Sequence, residues 1–125
     1  MSEARVTAAR LLLVDDEERI LTALRRSLRR DGYEITTAQT PREALVRLEH
    51  QTFDAVLSDY KMPGMTGLEL LAKVARLQPQ AGKLLITGWA QALSQSELEA
   101  IGVDAVIPKP WEDAELKDAL KKALR

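Results

Sequence analysis

Five short apolar or β-rich runs, each followed by a stretch whose hydrophobic residues recur every three to four positions, constrain what this chain can fold into. The first run is Leu11-Leu12-Leu13-Val14, after which Ile20, Leu21, Leu24 and Leu28 share one side of a helix that Gly32 closes as its expected C-cap. Tyr33 to Thr37 is the second β-rich run. Thr40 and Pro41 form an N-cap and N1 pair, Glu43 completes a capping box, and Ala44, Leu45 and Leu48 line a second helix ending near His50. Phe53 to Ser58 predicts strand three, and Leu68, Leu70, Leu71, Val74 and Leu77 predict helix three, up to Pro79. Lys83 to Thr87 reads as a strand apolar enough to be buried on both faces, followed past Gly88 by a weaker helix through Leu93, Leu98 and Ile101 that Gly102 ends. Asp104 to Ile107 and the stripe Leu116, Ala119, Leu120, Ala123 and Leu124 complete the fifth repeat.

Strict alternation with connections this short leaves a parallel sheet with right-handed crossovers and helices on both faces, the doubly wound α/β class. A chain of 125 residues holds one such domain, with residues 1–9 as a flexible N-terminal leader and 10–125 as the folded part. Composition narrows the function. Eighteen Lys+Arg against nineteen Asp+Glu leave a net charge of -1, and two Trp, two Tyr and one Phe offer little for bases to stack on, which speaks against direct nucleic-acid binding. Without cysteine there is no disulfide scaffold, thiolate zinc site or Cys nucleophile, and the cytoplasm is the expected compartment. The longest apolar run is four residues, against the ~20 a membrane span needs, and the leader has no apolar signal-peptide region.

In sheets of this class ligands bind outside the carboxyl ends of the strands. Strand one ends in Asp15-Asp16, strand three in Asp59 and strand four in Thr87, while strand five runs through Ile107-Pro108 into Lys109. Two unit charges ~4 Å apart repel by about 4 kcal/mol at an effective dielectric of 20, so three converging carboxylates call for a cation. An oxygen-only site with room for water suits Mg²⁺ and not zinc. A carboxylate beside Mg²⁺, a hydroxyl and an ammonium is arranged for phosphoryl transfer onto the carboxylate itself. Asp59, on the central strand, is the nucleophile on this reading, with Lys109 pairing with the phosphoryl oxygens and Thr87 donating to one of them only when phosphate is present.

The segments L-L-L-V-D-D-E, S-D-Y-K-M-P-G-M-T-G, L-I-T-G and P-K-P, in this order over residues 10–125, resemble the receiver domains of two-component response regulators, the CheY-like family. The resemblance implies a flavodoxin-like five-stranded sheet of order 2-1-3-4-5, Asp59 as acceptor of a phosphoryl group from a sensor histidine kinase, and Mg²⁺ held by Asp16, Asp59 and the Lys61 backbone carbonyl. It places Asp15 behind a water, Thr87 and Lys109 at the phosphoryl group, and a cis bond between Lys109 and Pro110. It also implies a signalling module that catalyses only its own phosphorylation and dephosphorylation, switching the face around helix four, strand five and helix five. The same face is a candidate homodimer or output surface, and an output domain C-terminal to this chain is a candidate partner. One departure stands out: Val106 occupies the place where the family carries Tyr or Phe, so output must be read from the Thr87-Gly88 loop and helix four, with Trp89 or Trp111 as candidates.

Plainer readings compete. Asp15-x-x-Glu18 has the form of a capping box for helix one, His50 of a solvated helix end, and Arg25, Arg26, Arg29 and Arg30 of a solvated face or a kinase-docking one. Pro108 is tolerable if strand five is a sheet edge. Two rival functions follow: a pseudo-receiver that signals by contact alone, favoured by Val106, and a haloacid-dehalogenase-type phosphatase, which wants a D-x-D where this chain has adjacent Asp15 and Asp16.

Overall fold

The computed structural model describes residues 8–124 except 90 and 91; the leader expected over 1–9 therefore lies mostly outside the described residues. The elements are β1 (Arg10–Val14), α1 (Glu18–Leu28), β2 (Glu34–Ala38), α2 (Pro41–His50), β3 (Ala55–Asp59), α3 (Gly67–Leu77), β4 (Gly82–Thr87), α4 (Gln95–Ile101), β5 (Ala105–Pro108) and α5 (Asp113–Ala123). All strand pairs are parallel, in the order β2-β1-β3-β4-β5. Both the fold class and the strand order expected from sequence are present.

The pleat explains why the inner strands read as unbroken apolar runs. Leu12, Val14, Val56 and Leu85 face α2, α3 and α4, meeting Leu48, Leu71, Val74 and Leu98, whereas Leu11, Leu13, Leu57, Leu84 and Ile86 face α1 and α5, meeting Leu24, Leu28, Leu116 and Leu120. Each fully buried Leu of these layers contributes roughly 1.5–3 kcal/mol relative to an exposed one. β2 and β5 are the sheet edges, and Pro108 closes β5 at the edge, where its missing N–H breaks no ladder.

Several local expectations shift. α1 ends at Leu28 with Arg29 as C-cap; Gly32, at φ 78°, serves the following turn into β2, where a left-handed conformation is needed and a side chain disfavours it. The capping box proposed for α1 does not form. Glu17 is the N-cap without a side-chain bond, and Asp15 instead uses one carboxylate oxygen to accept the Glu17 N–H at 2.8 Å. In α2 the Thr40 hydroxyl accepts the Glu43 N–H at 3.0 Å as expected, but the Glu43 carboxylate accepts the N–H of Gln39 rather than of Thr40. A complete box appears at α3, between Thr66 and Glu69, fixing the helix that follows the Asp59 loop. α4 begins at Gln95 behind Ser94, leaving Leu93 outside the helix. Lys83, within the buried β4 run, is itself buried and satisfied by donating from Nζ to the Ala81 carbonyl at 2.9 Å.

Candidate functional site

Parallel strands end together, so β1, β3, β4 and β5 deliver their terminal residues to one edge. Asp15, Asp16 and Asp59 meet there, with one carboxylate oxygen of each within 4.8 Å of the others. Asp15 is fully buried, Asp59 nearly so, and Asp16 exposed. Lys109 bridges the two buried acids, its Nζ 3.2 Å from an oxygen of Asp15 and 3.2 Å from one of Asp59. An open cleft of about 480 Å³ lies above them, lined by Asp16, Glu17, Asp59, Lys61, Met62, Pro63 and Lys109. Four of the six site residues expected from sequence, Asp15, Asp16, Asp59 and Lys109, are thus joined in one cluster with Asp15 as its floor, Lys61 lines its mouth, and Thr87 stands at the end of the neighbouring strand β4.

Burial pushes the Asp15 and Asp59 carboxyls above the usual range; the Asp15–Asp59 and Asp59–Asp16 repulsions add to this, and Lys109 with the Glu17 and Tyr60 N–H groups opposes it. Burial acts to lower Lys109, but Asp15 and Asp59 together outweigh it and hold the ammonium above its ordinary value. With three carboxylates and one ammonium, the pocket carries an excess of two negative charges when all are ionised. The donor set is carboxylate oxygen throughout, the chemistry of a hard cation site.

Thr87 is buried at the end of β4 and aligned with Pro108, and its hydroxyl oxygen accepts the Trp89 N–H at 3.0 Å. Its oxygen is therefore engaged by its own loop, while Trp89 stands 67% exposed beside it. His50 is exposed at the far end of α2, with Nδ1 2.8 Å from the Val46 carbonyl, away from this edge. Val106 is half-buried against the α3–α4 layer.

Two residues that sequence reasoning passed over support the nucleophile candidate. The buried Ser58 hydroxyl donates to the Asp59 carbonyl at 2.9 Å. Gly67 donates its N–H to the Tyr60 carbonyl at 2.7 Å, and a Cβ there would overlap the Asp59 carbonyl oxygen and press on Leu85. The glycine ending M-P-G-M-T-G reads as a chain breaker in sequence; its close approach to Asp59 is a packing fact that the spacing hides. Gly67→Ala is expected to cost about 1–3 kcal/mol in urea unfolding, as overpacking against backbone does.

Comparison with known proteins agrees with the geometry. The family model described as "Response regulator receiver domain" matches residues 11–121. The chain is 33% identical over 116 residues to the hydrogenase transcriptional regulatory protein HoxA of Bradyrhizobium diazoefficiens, covering 92% of this chain and 24% of that protein. It spans about a quarter of the length of such relatives. The signal receiver domain of an HD domain-containing protein from Pseudomonas fluorescens Pf-5 superposes with a TM-score of 0.89 at 32% identity, over 99% of this chain and 93% of that one. Response regulator protein TrrA of Thermotoga maritima, solved in complex with Mg(2+)-BeF, superposes with a TM-score of 0.82 at 34% identity, over 93% and 99% of the two chains. Since the family model spans nearly the whole fold and solved receivers share its architecture, the chain belongs to the response regulator receiver domains.

Proposed function

We propose that this receiver acts in the cytoplasm and accepts a phosphoryl group on Asp59 from a phosphohistidine of a sensor histidine kinase. The observation that carries the reading is a nearly buried carboxylate under an open cleft, bonded to one ammonium and crowded by two further acids. An Asp59 oxygen attacks phosphorus, the O–P bond forms as the P–N bond breaks, and the departing imidazole takes a proton from solvent. Lys109 turns its ammonium toward the phosphoryl oxygens, and the Thr87 hydroxyl donates its proton to one of them.

The excess negative charge and all-oxygen donors fit a divalent cation, and Mg²⁺ is the ion in the TrrA complex. Asp16, Asp59 and the Lys61 backbone carbonyl would hold it, with Asp15 acting through a water; bound there, it supplies neutralisation of the phosphoryl charge. The phosphorylated state switches the face of α4, β5 and α5. With Val106 in place of an aromatic ring, the Thr87-Gly88 loop and Trp89 carry the change. An output domain beyond this chain and a homodimer through that face are the receiving partners on this reading, which makes the molecule a signalling module and not a metabolic enzyme. Among the described residues no helix is long and apolar enough to cross a membrane.

Incubation with acetyl phosphate and Mg²⁺ tests the reading: the protein is expected to gain one phosphoryl mass that hydroxylamine removes and that chelation of the metal prevents. No gain with metal present would leave the pseudo-receiver. Turnover of a small phosphate ester would favour the phosphatase. Mg²⁺ alone at tenfold above its Kd is expected to raise stability by about 1.4 kcal/mol in thermal melts, an effect that Asp16→Asn reduces.

A further inference from the structure

Lys109 carries its ammonium on a loop, and the loop is held from both sides. On one side the Lys109 N–H donates to the Thr87 carbonyl at 3.1 Å, which ties it to the end of β4. On the other, two residues on, the Trp111 indole Nε1 donates to the Ser27 hydroxyl at 3.1 Å. That hydroxyl donates in turn to the Asp113 carboxylate at 2.7 Å. Ser27 lies in the last turn of α1, a helix that begins three residues after Asp15 and whose N-cap residue, Glu17, donates its N–H to Asp15. The same helix therefore touches the acid that Lys109 grips and the loop from which Lys109 reaches.

A hydroxyl between an indole donor and a carboxylate acceptor has its proton direction fixed, because the carboxylate only accepts and the indole only donates. The outcome is a directed chain, Trp111 to Ser27 to Asp113, that joins residues 84 and 86 positions apart and clasps the start of α5 to α1. Trp111 is half-buried against the α1–α5 layer, so the ring and the hydrogen bond locate the loop together.

We propose that Ser27 and Trp111 are positioning residues for phosphoryl acceptance, acting through Lys109; the inference rests on the phospho-accepting reading above. Neither reaches the cleft, and their effect is to hold the loop where a single ammonium spans Asp15 and Asp59 and then meets the incoming phosphoryl oxygens. Positioning of this kind is lost steeply with small displacements.

The test is the rate of acetyl phosphate-driven phosphorylation with Mg²⁺, a donor too small to dock on α1. Ser27→Ala, and Trp111→Phe, which keeps a ring but removes the N–H, are each expected to slow it by roughly fivefold to tenfold, the scale of one lost hydrogen bond. Ser27→Thr, which retains the hydroxyl, is expected to restore most of the rate, and the double variant to be no slower than either single. In a Lys109→Ala background Ser27→Ala is expected to leave the residual rate unchanged, which a purely structural role would not do. If Ser27→Ala fails to fold, Trp111→Phe carries the same expectation. An unaltered rate in both single variants, or the same loss with and without Lys109, overturns the proposal while leaving the function intact. No phosphorylation of the wild-type protein overturns both.

Discussion

Asp59→Asn is expected to lose phosphorylation entirely and, in the absence of divalent ions, to melt above the wild-type protein. The first effect follows from removing the attacking oxygen's charge. The second follows from crowding: Asp59 lies beside two other carboxylates, is nearly buried, and is offset by Lys109 and, more weakly, by the Tyr60 N–H. Repulsion at such distances is worth about 4 kcal/mol per pair at an effective dielectric of 20, and after the Lys109 attraction is subtracted a gain on the order of 1–2 kcal/mol remains. That corresponds to a rise in Tm of roughly 3–8 °C for a domain of this size.

Crowding of the acids also gives stability a signed dependence on pH. The folded-state carboxyls of Asp15 and Asp59 titrate above the unfolded value of 3.8, so between that value and their folded values the native protein holds more protons than the unfolded one. Metal-free wild-type protein is therefore expected to lose stability from this pair as pH rises through that window, and Asp59→Asn to lose less. Lys109 behaves oppositely: its folded pKa is above 10.5, so its contribution is complete below 10.5 and is lost as pH climbs through the folded value. Equilibrium urea unfolding at a series of pH values checks both signs. A variant melting several degrees below wild type without metal contradicts the crowding argument.

Lys109→Met is the second large effect. It leaves Asp15 fully buried and Asp59 nearly so without the ammonium that bridges them. Breaking a buried pair by removing one partner ordinarily costs about 3–5 kcal/mol; the opening of the cleft onto Asp59 admits water, and about 2–4 kcal/mol is expected here. The cost should shrink as pH falls and the stranded acids protonate, so that variant and wild type converge in acid. A cost that persists unchanged at acid pH would point to lost packing of the lysine stem instead. Phosphorylation should slow as well, since no other ammonium among the described residues bridges Asp15 and Asp59.

What could be seen in the sequence divides by range. Leu11 to Val14 and the β4 run announce inner strands because both of their faces are covered, and strand ends in a doubly wound sheet share one edge, so the sequence alone gathers Asp15, Asp16, Asp59, Thr87 and Lys109. The Thr40 cap was legible because its partner is three residues away. Asp15 was harder: as an acid before a helix it has the look of a cap, and only tertiary structure turns its second oxygen toward a lysine 94 positions on. Gly67 against Asp59 and the Trp111, Ser27 and Asp113 chain lie beyond any local pattern, because periodicity reports which face is buried and is silent on what it meets. Gly32 shows the limit of cap rules, since a turn and a helix end ask for the same left-handed glycine.

The most direct measurement is the location of the phosphoryl group. Protein treated with acetyl phosphate and Mg²⁺, then reduced with borohydride, converts an aspartyl phosphate to homoserine, which peptide mass mapping assigns to one position. The account predicts homoserine at residue 59 alone, absent from Asp59→Asn and from chelated samples. Modification at Asp15, Asp16 or His50, or none while the acyl phosphate donor and metal are in excess, would contradict it.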